Sequence, residues 1–137
     1  MREILFRAKR EDNGEWAYGY YVRLPDAAGS ASMIHTPARN PDESNSSHFI
    51  RSSTIGQYTG LTDKNGTKIF EGDIVRYGDT IHKVVFEQRN GTAYFGLVYS
   101  PIETLPFGHY QDLQQLEVIG NIYDNPELIG GETDEQI

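Results

Sequence analysis

A mainly β fold is predicted for this chain: a small antiparallel barrel or rolled sheet, with an N-terminal hairpin, a long loop and short C-terminal helical turns. Three observations predict it. Apolar and polar residues alternate over short runs, the pattern of half-buried strands. Glycine, asparagine and aspartate punctuate these runs at close intervals. No long stretch repeats apolar residues at helical spacing, so the layers must be built from sheet.

The elements follow in order. Ile4, Phe6 and Ala8 alternate with Leu5, Arg7 and Lys9 in a first strand, and Asp12-Asn13-Gly14 supplies turn chemistry. The run from Glu15 to Val22 places Trp16, Tyr18, Tyr20 and Val22 on one face and Ala17, Gly19 and Tyr21 on the other, closing a hairpin with the first strand. From Pro25 to Ser47 the chain is rich in turn formers and poor in apolar residues, which predicts a long loop. Within it, only Ser32 to Thr36 has the makings of a strand.

Order returns at His48-Phe49-Ile50 and at Ile55 to Gly60. Asp63-Lys64-Asn65-Gly66 reads as a hairpin turn closed by a left-handed glycine. Strands are then expected over Thr67–Phe70, Asp73–Tyr77, Thr80–Glu87 and Ala93–Tyr99. Asn90-Gly91 is the strongest short hairpin signal. Gly72-Asp73 before Ile74-Val75 resembles the loop entry into the first long strand of an SH3-like barrel, where glycine permits the sharp entry and aspartate accepts backbone N–H bonds. His109 to Leu116 could make two helical turns, and Leu116 to Tyr123 reads as a strand. Asn125-Pro126-Glu127 reads as the start of one helical turn, with Asn125 as its cap, ended by Gly130-Gly131. Ile55-Gly56-Gln57-Tyr58 is echoed in Ile119-Gly120-Asn121-Ile122-Tyr123, and both strands are expected to line one core, each glycine marking a bulge or a close approach.

Length and composition bound the rest. The 137 residues fit one domain over 1–129, with subdomains at 1–54 and 55–129, followed by a disordered acidic tail at 130–137. The apolar fraction of 37% suffices for a modest core. No apolar run is long enough to span a bilayer, the opening residues have the form of neither a signal nor a transit peptide, and there is no cysteine. A cytoplasmic location fits all three.

The net charge of −8 is unevenly placed: residues 1–90 hold 12 bases and 12 acids, whereas residues 91–137 hold eight acids and no Lys or Arg. Direct binding to a phosphate backbone is therefore disfavoured, since no localised basic patch offsets the repulsion.

No catalytic or metal-binding constellation emerges. Glu71 and Asp73 form a carboxylate pair beside a turn glycine, but no histidine, lysine or serine motif joins them, so their expected role is structural. The turn at Asp63 fails as a calcium loop, with Lys68 where that loop needs glycine and Ile74 where it needs a bidentate glutamate. His35, His48, His82 and His109 lack zinc-type spacing; His82 shares a strand face with Val84 and Phe86 and reads as structural, while His35 and His48 could meet if the long loop folds back. Phosphate loops, dinucleotide glycine patterns and nucleophile elbows are absent. No cofactor, metal or catalytic residue is assigned.

The face bearing Trp16, Tyr18 and Tyr20 is the one candidate interaction surface. Aromatics on one strand face usually pack a core. Left exposed, they anchor an interface or let the strand pair with a copy of itself.

Two long strings carry a resemblance: Ile55 through Gly66 ("IGQYTGLTDKNG") continuing to Glu71-Gly72-Asp73-Ile74-Val75, and Leu116 through Leu128 ("LEVIGNIYDNPEL"). With the opening Phe6-Arg7-Ala8 they resemble the YopX family of phage and prophage proteins, over nearly the whole chain. The stretch 25–47 matches no family motif. The resemblance implies a phage-derived gene and a β-rich fold, and it carries over no functional residue. The expectation is a non-enzymatic accessory protein in the bacterial host cytoplasm, binding a protein of that host or forming a homo-oligomer. The alternatives are an acidic DNA mimic or other nucleic-acid-associated regulator, and an enzyme whose site gathers distant residues such as His35, His48 and Asp73.

Overall fold

The structure, a computed structural model, describes residues 3–26, 29–89, 91–107 and 113–130. Its strands are β1 (Phe6–Lys9), β2 (Trp16–Asp26), β3 (Gly29–Thr36), β4 (Ser46–Phe49), β5 (Gly56–Thr62), β6 (Lys68–Phe70), β7 (Asp73–Tyr77), β8 (Thr80–Arg89), β9 (Thr92–Ser100), β10 (Glu103–Pro106) and β11 (Leu116–Asn121). Among the described residues, helical structure is limited to 3-10 turns at Ser52–Thr54, Leu113–Gln115 and Pro126–Ile129. The fold is mainly β, with a six-stranded sheet ordered β4-β3-β2-β1-β5-β6 and a five-stranded sheet ordered β10-β9-β8-β7-β11. The chain divides into two compact units, residues 1–58 and 59–137.

In the first unit, β1 and β2 form the expected hairpin, pairing Phe6 with Gly19 and Ala8 with Ala17. β2 continues antiparallel to β3, and β3 to β4, so that Tyr21 lies opposite Ile34 and Ile34 opposite His48. The end of β4 then returns to the end of β1: Arg10 bridges Ile50, Glu11 N donates to Phe49 O at 2.9 Å, and Arg51 N donates to Lys9 O at 2.9 Å. A single bridge is not a ladder, so the strands curl without closing.

The concave side buries Ala8, Ala17, Ile34 and Ile50, with Phe6, Tyr21 and Ile55 packed against them. Small residues suit a tight curl, where inward side chains converge. Gly19 is the extreme case, because a Cβ there would stand 2.1 Å from the His35 carbonyl oxygen. Thr54 fastens the following turn, its hydroxyl accepting from Lys9 N at 2.9 Å and donating to Arg51 O at 2.7 Å.

The expected 25–47 loop is mostly sheet. β2 runs on to Asp26 and β3 begins at Gly29, pairing Leu24 with Ala31 and Pro25 with Ser30. Sheet hydrogen bonds come from the backbone, so a segment of small polar residues can extend a ladder already in register. The remaining loop is cross-tied: Ala38 N donates to Asn45 Oδ1 at 2.7 Å, and Glu43 Oε2 accepts from Arg39 N at 3.1 Å.

In the second unit, Ile69, Val75, Val84, Leu97 and Leu116 form the buried cluster, joined by Leu61, Tyr77, Phe107 and Val118. The Asp63-to-Gly66 turn forms as expected, with Gly66 at φ +81° and Asp63 N donating to Thr67 O at 2.9 Å. β8 and β9 pair as Arg89 with Thr92 and Val84 with Leu97, with Gly91 at φ +79° before β9; Asn90 lies outside the described residues. Gly72, at φ +93°, turns the chain into β7, and its N–H and carbonyl bond Val84 O and Ile122 N, each at 2.9 Å.

Some expectations are corrected here. β11 adds beside β7, at the edge opposite β10, so the strand that could complete an SH3-like barrel extends the sheet instead, and the barrel does not close. Of the helical turns expected over His109 to Leu116, the described residues hold only the turn Leu113–Gln115, and Leu116 already begins β11. Asn125 does not cap the C-terminal turn; its Oδ1 reaches back to accept from Asn121 N at 3.2 Å. Of the two echo strands, β5 and β11 place Leu61 and Val118 against the same second cluster, whereas Ile55, just before β5, joins the first. Gly120 does sit at a bulge in β11, where a Cβ would stand 2.6 Å from Asn125 Oδ1. The tail residues 131–137 and His109 lie outside the described residues.

Candidate interaction surfaces

The curl of the first unit decides where its aromatics go. With Ala17, Gly19 and Tyr21 on the concave side, Trp16, Tyr18, Tyr20, Val22 and Leu24 fall on the convex one. Register extends this face: Val22 lies opposite Met33, and Met33 opposite Phe49, while Lys9 lies opposite Trp16 and Arg7 opposite Tyr18. Tyr18 is 43% exposed, Tyr20 53%, Leu24 49% and Phe49 55%. Isolated exposed apolar residues are ordinary, but four large ones sharing a face are not.

Trp16 differs from its neighbours in being only half-exposed. The Arg7 guanidinium lies 4.6 Å from its ring centroid and the Lys9 ammonium 5.6 Å, a cation–π arrangement that holds the indole at one end of the face. The usual fate of such a strand face, burial in a core, is therefore overturned, because convex and concave sides were assigned by curvature rather than by hydrophobicity. Leu24, Met33 and Phe49 escaped the sequence reading. Only the β2–β3–β4 register brings them to Tyr20, and a segment judged a loop has no register.

The described histidines do not assemble. His35 and His48 project from opposite faces of neighbouring strands, and His35 Nδ1 meets Ser47 Oγ at 2.8 Å. His82, in the second unit, is buried, with Nδ1 donating to Val98 O at 3.1 Å, Nε2 2.8 Å from Thr80 Oγ1, and its ring 4.3 Å from that of Tyr99. Among the described residues no group of three or more His, Cys, Asp or Glu is placed to hold a metal ion.

The carboxylates near turns are occupied by backbone. Asp73 is buried and its Oδ2 accepts from Phe70 N at 2.7 Å. Asp63 Oδ1 accepts from Asn65 N at 2.8 Å and Thr67 N at 2.9 Å, and Oδ2 from Val118 N at 2.9 Å, so one carboxylate ties the β5–β6 turn to β11. Burial works against the charge on Asp63, but these three N–H donors and the Lys64 ammonium outweigh it and hold the pKa below the ordinary aspartate value. Glu71, the other member of the pair, lies at the turn before Gly72.

A second concavity lies wholly within the second unit. On the side of β8 and β9 opposite Val84 and Leu97, a groove of about 400 Å³ is lined by Val85, Val98, Leu128 and Ile129, with Lys83, Glu87 and Arg89 also at its surface. Arg89 pairs with Glu87 at 3.8 Å. Nothing in the sequence pointed to this groove, since it needs the C-terminal turn to lie against β8.

Fold and surfaces define a mainly β protein of two units, in which Asp63, Asp73 and His82 bond the backbone of turns and strands. The chain belongs to the YopX family: the family described as "YopX protein" matches residues 5–130. It is also similar to the crystal structure of protein EF1440 from Enterococcus faecalis, at 25% identity and a TM-score of 0.52, over 94% of this chain and 99% of that one. Among curated proteins none matches the chain. No described helix is long and apolar enough to cross a membrane.

Proposed function

We propose that this chain is a phage- or prophage-encoded accessory protein of the bacterial cytoplasm that acts by binding a protein partner and catalyses nothing itself. The observation that carries the proposal is the exposed face built from Tyr18, Tyr20, Leu24 and Phe49. Large amphipathic rings on a rigid strand lose little conformational entropy on binding and bury much apolar area, the properties of interface anchors. Charge narrows the partner. The first unit holds seven bases and seven acids, whereas residues 59–137 hold five bases and 13 acids. A neutral, aromatic face suits a low-charge apolar patch on another protein rather than a polyanion.

The test is affinity capture from a phage-bearing host with the wild-type chain, with Tyr20→Ser/Phe49→Ser, and with a Val98→Thr control. A discrete protein held by wild type and control but lost from the double variant is the expected result. Equal recovery by all three, or by none, contradicts the proposal. Light scattering separates a second copy of the chain from a host protein as the partner.

A second reading rests on the other half of that charge count. The excess of acids in residues 59–137 suits a mimic of nucleic acid that occupies a DNA-binding protein, and such binding would weaken steeply with added salt.

A further inference from the structure

We propose that the groove on the second unit binds a small uncharged molecule, an apolar body bearing one hydrogen-bonding oxygen. Its volume of about 400 Å³ falls in the range of small-molecule sites. Val85, Val98, Leu128 and Ile129 give it an apolar wall, from two strands and a turn that are distant in sequence.

Exposure points to the same place. Among the described residues of this unit, the large apolar side chains left exposed are Ile81, Phe86, Tyr99 and Ile102, and the first three border the groove. Such residues scattered singly are ordinary, but three gathered at one concavity mark a surface meant to be covered.

Charge and polarity set the ligand's class. Arg89 is paired with Glu87 at 3.8 Å, and Lys83 has a contact of its own. An ion of either sign would have to displace one of these existing contacts. An anion would also meet the repulsion of a unit that holds 13 acids against five bases. A neutral molecule disturbs neither. Its oxygen can be met by hydroxyls: Thr104 lies opposite Val98, Ser100 is two residues beyond Val98, and both line the groove. A hydroxyl donates and accepts, so it suits an alcohol or a carbonyl alike.

This site is independent of the aromatic face, which lies in the first unit. The probes are benzyl alcohol, toluene and benzoate, titrated into the full chain and followed by amide NMR shifts. Saturable shifts at Val85, Val98, Leu128 and Ile129 are expected with the two neutral probes, and benzoate should bind at least about tenfold more weakly than the alcohol. Thr104→Val should weaken the alcohol about threefold to tenfold and leave toluene no weaker. Leu128→Asn should weaken both neutral probes. Should Leu128→Asn fail to fold, the Thr104→Val comparison still decides. Shifts without saturation, benzoate bound as tightly as the alcohol, or a Thr104→Val variant that treats the two neutral probes alike would overturn the proposal. So would shifts of the same amides that grow with protein concentration alone, which would give the groove to a second copy of the chain.

Discussion

The two units start from the same alternation of apolar and polar residues and assign its faces in opposite ways. In residues 59–137 the larger aliphatic residues turn inward, and Ile69, Val75, Val84, Leu97 and Leu116 are all fully buried. In residues 1–58 alanine holds much of the interior while Tyr18, Tyr20 and Phe49 stand outside. Strand periodicity specifies that two faces exist. Which one is buried depends on curvature, because a tightly curled sheet has volume for alanine and glycine on its concave side and not for tyrosine. The second unit is therefore organised around its core, the first around its surface.

The contrast can be broken at both ends. The largest effect is expected from Leu97→Ala, which empties a fully buried position and should cost about 3 kcal/mol in urea denaturation. A loss under about 1 kcal/mol would mean that the second core is as thin as the first.

Next comes Asp63, whose carboxylate gathers three backbone donors. Asp63→Ala strands those donors and should cost about 2 kcal/mol. Its pKa is lowered in the folded state, so its contribution is present above the unfolded value of about 3.9 and is lost as the pH falls through the lower folded value. Urea midpoints measured against pH should therefore decline below about pH 4 in the wild type, and less steeply in Asp63→Asn.

Gly120→Ala should follow, at about 1–2 kcal/mol, because its methyl group meets the Asn125 side chain. Adding Asn125→Gly removes the clash, so the two changes together should cost less than their sum.

The smallest stability change belongs to the aromatic face. Tyr18→Ala should alter stability by less than about 0.5 kcal/mol while weakening capture of the partner at least about tenfold. That split between stability and binding is what distinguishes an interface residue from a core residue.

Much of this architecture could be read from residue order. The turns at Asp12-Asn13-Gly14 and Asp63-to-Gly66 form where local chemistry demands them, and Gly91 is left-handed between β8 and β9, since such a glycine is required whatever surrounds it. The Gly72-Asp73 entry into β7 forms for the same reason. What escaped is non-local. The β2–β3 ladder beyond Val22 depends on pairing between segments whose composition resembles a loop. The placement of Asn125 depends on a bulge in β11 that gives it a backbone N–H to reach. At the candidate surface, Trp16, Tyr18 and Tyr20 were legible as one face, but its exposure and its continuation through Leu24, Met33 and Phe49 required the register and the curl. The groove beside Leu128 and Ile129 depends on a contact between the C-terminal turn and β8 that no spacing encodes.

The most direct test of the account is the orientation of β2, read from the urea midpoints of Ala17→Asp and Tyr20→Asp measured side by side. Ala17 is 7% exposed and Tyr20 53%, so the charge should cost more than about 3 kcal/mol at position 17 and less than about 1 kcal/mol at position 20. The reverse order, with Tyr20→Asp unfolding the chain and Ala17→Asp tolerated, would place the aromatics in the core and remove the interaction surface altogether.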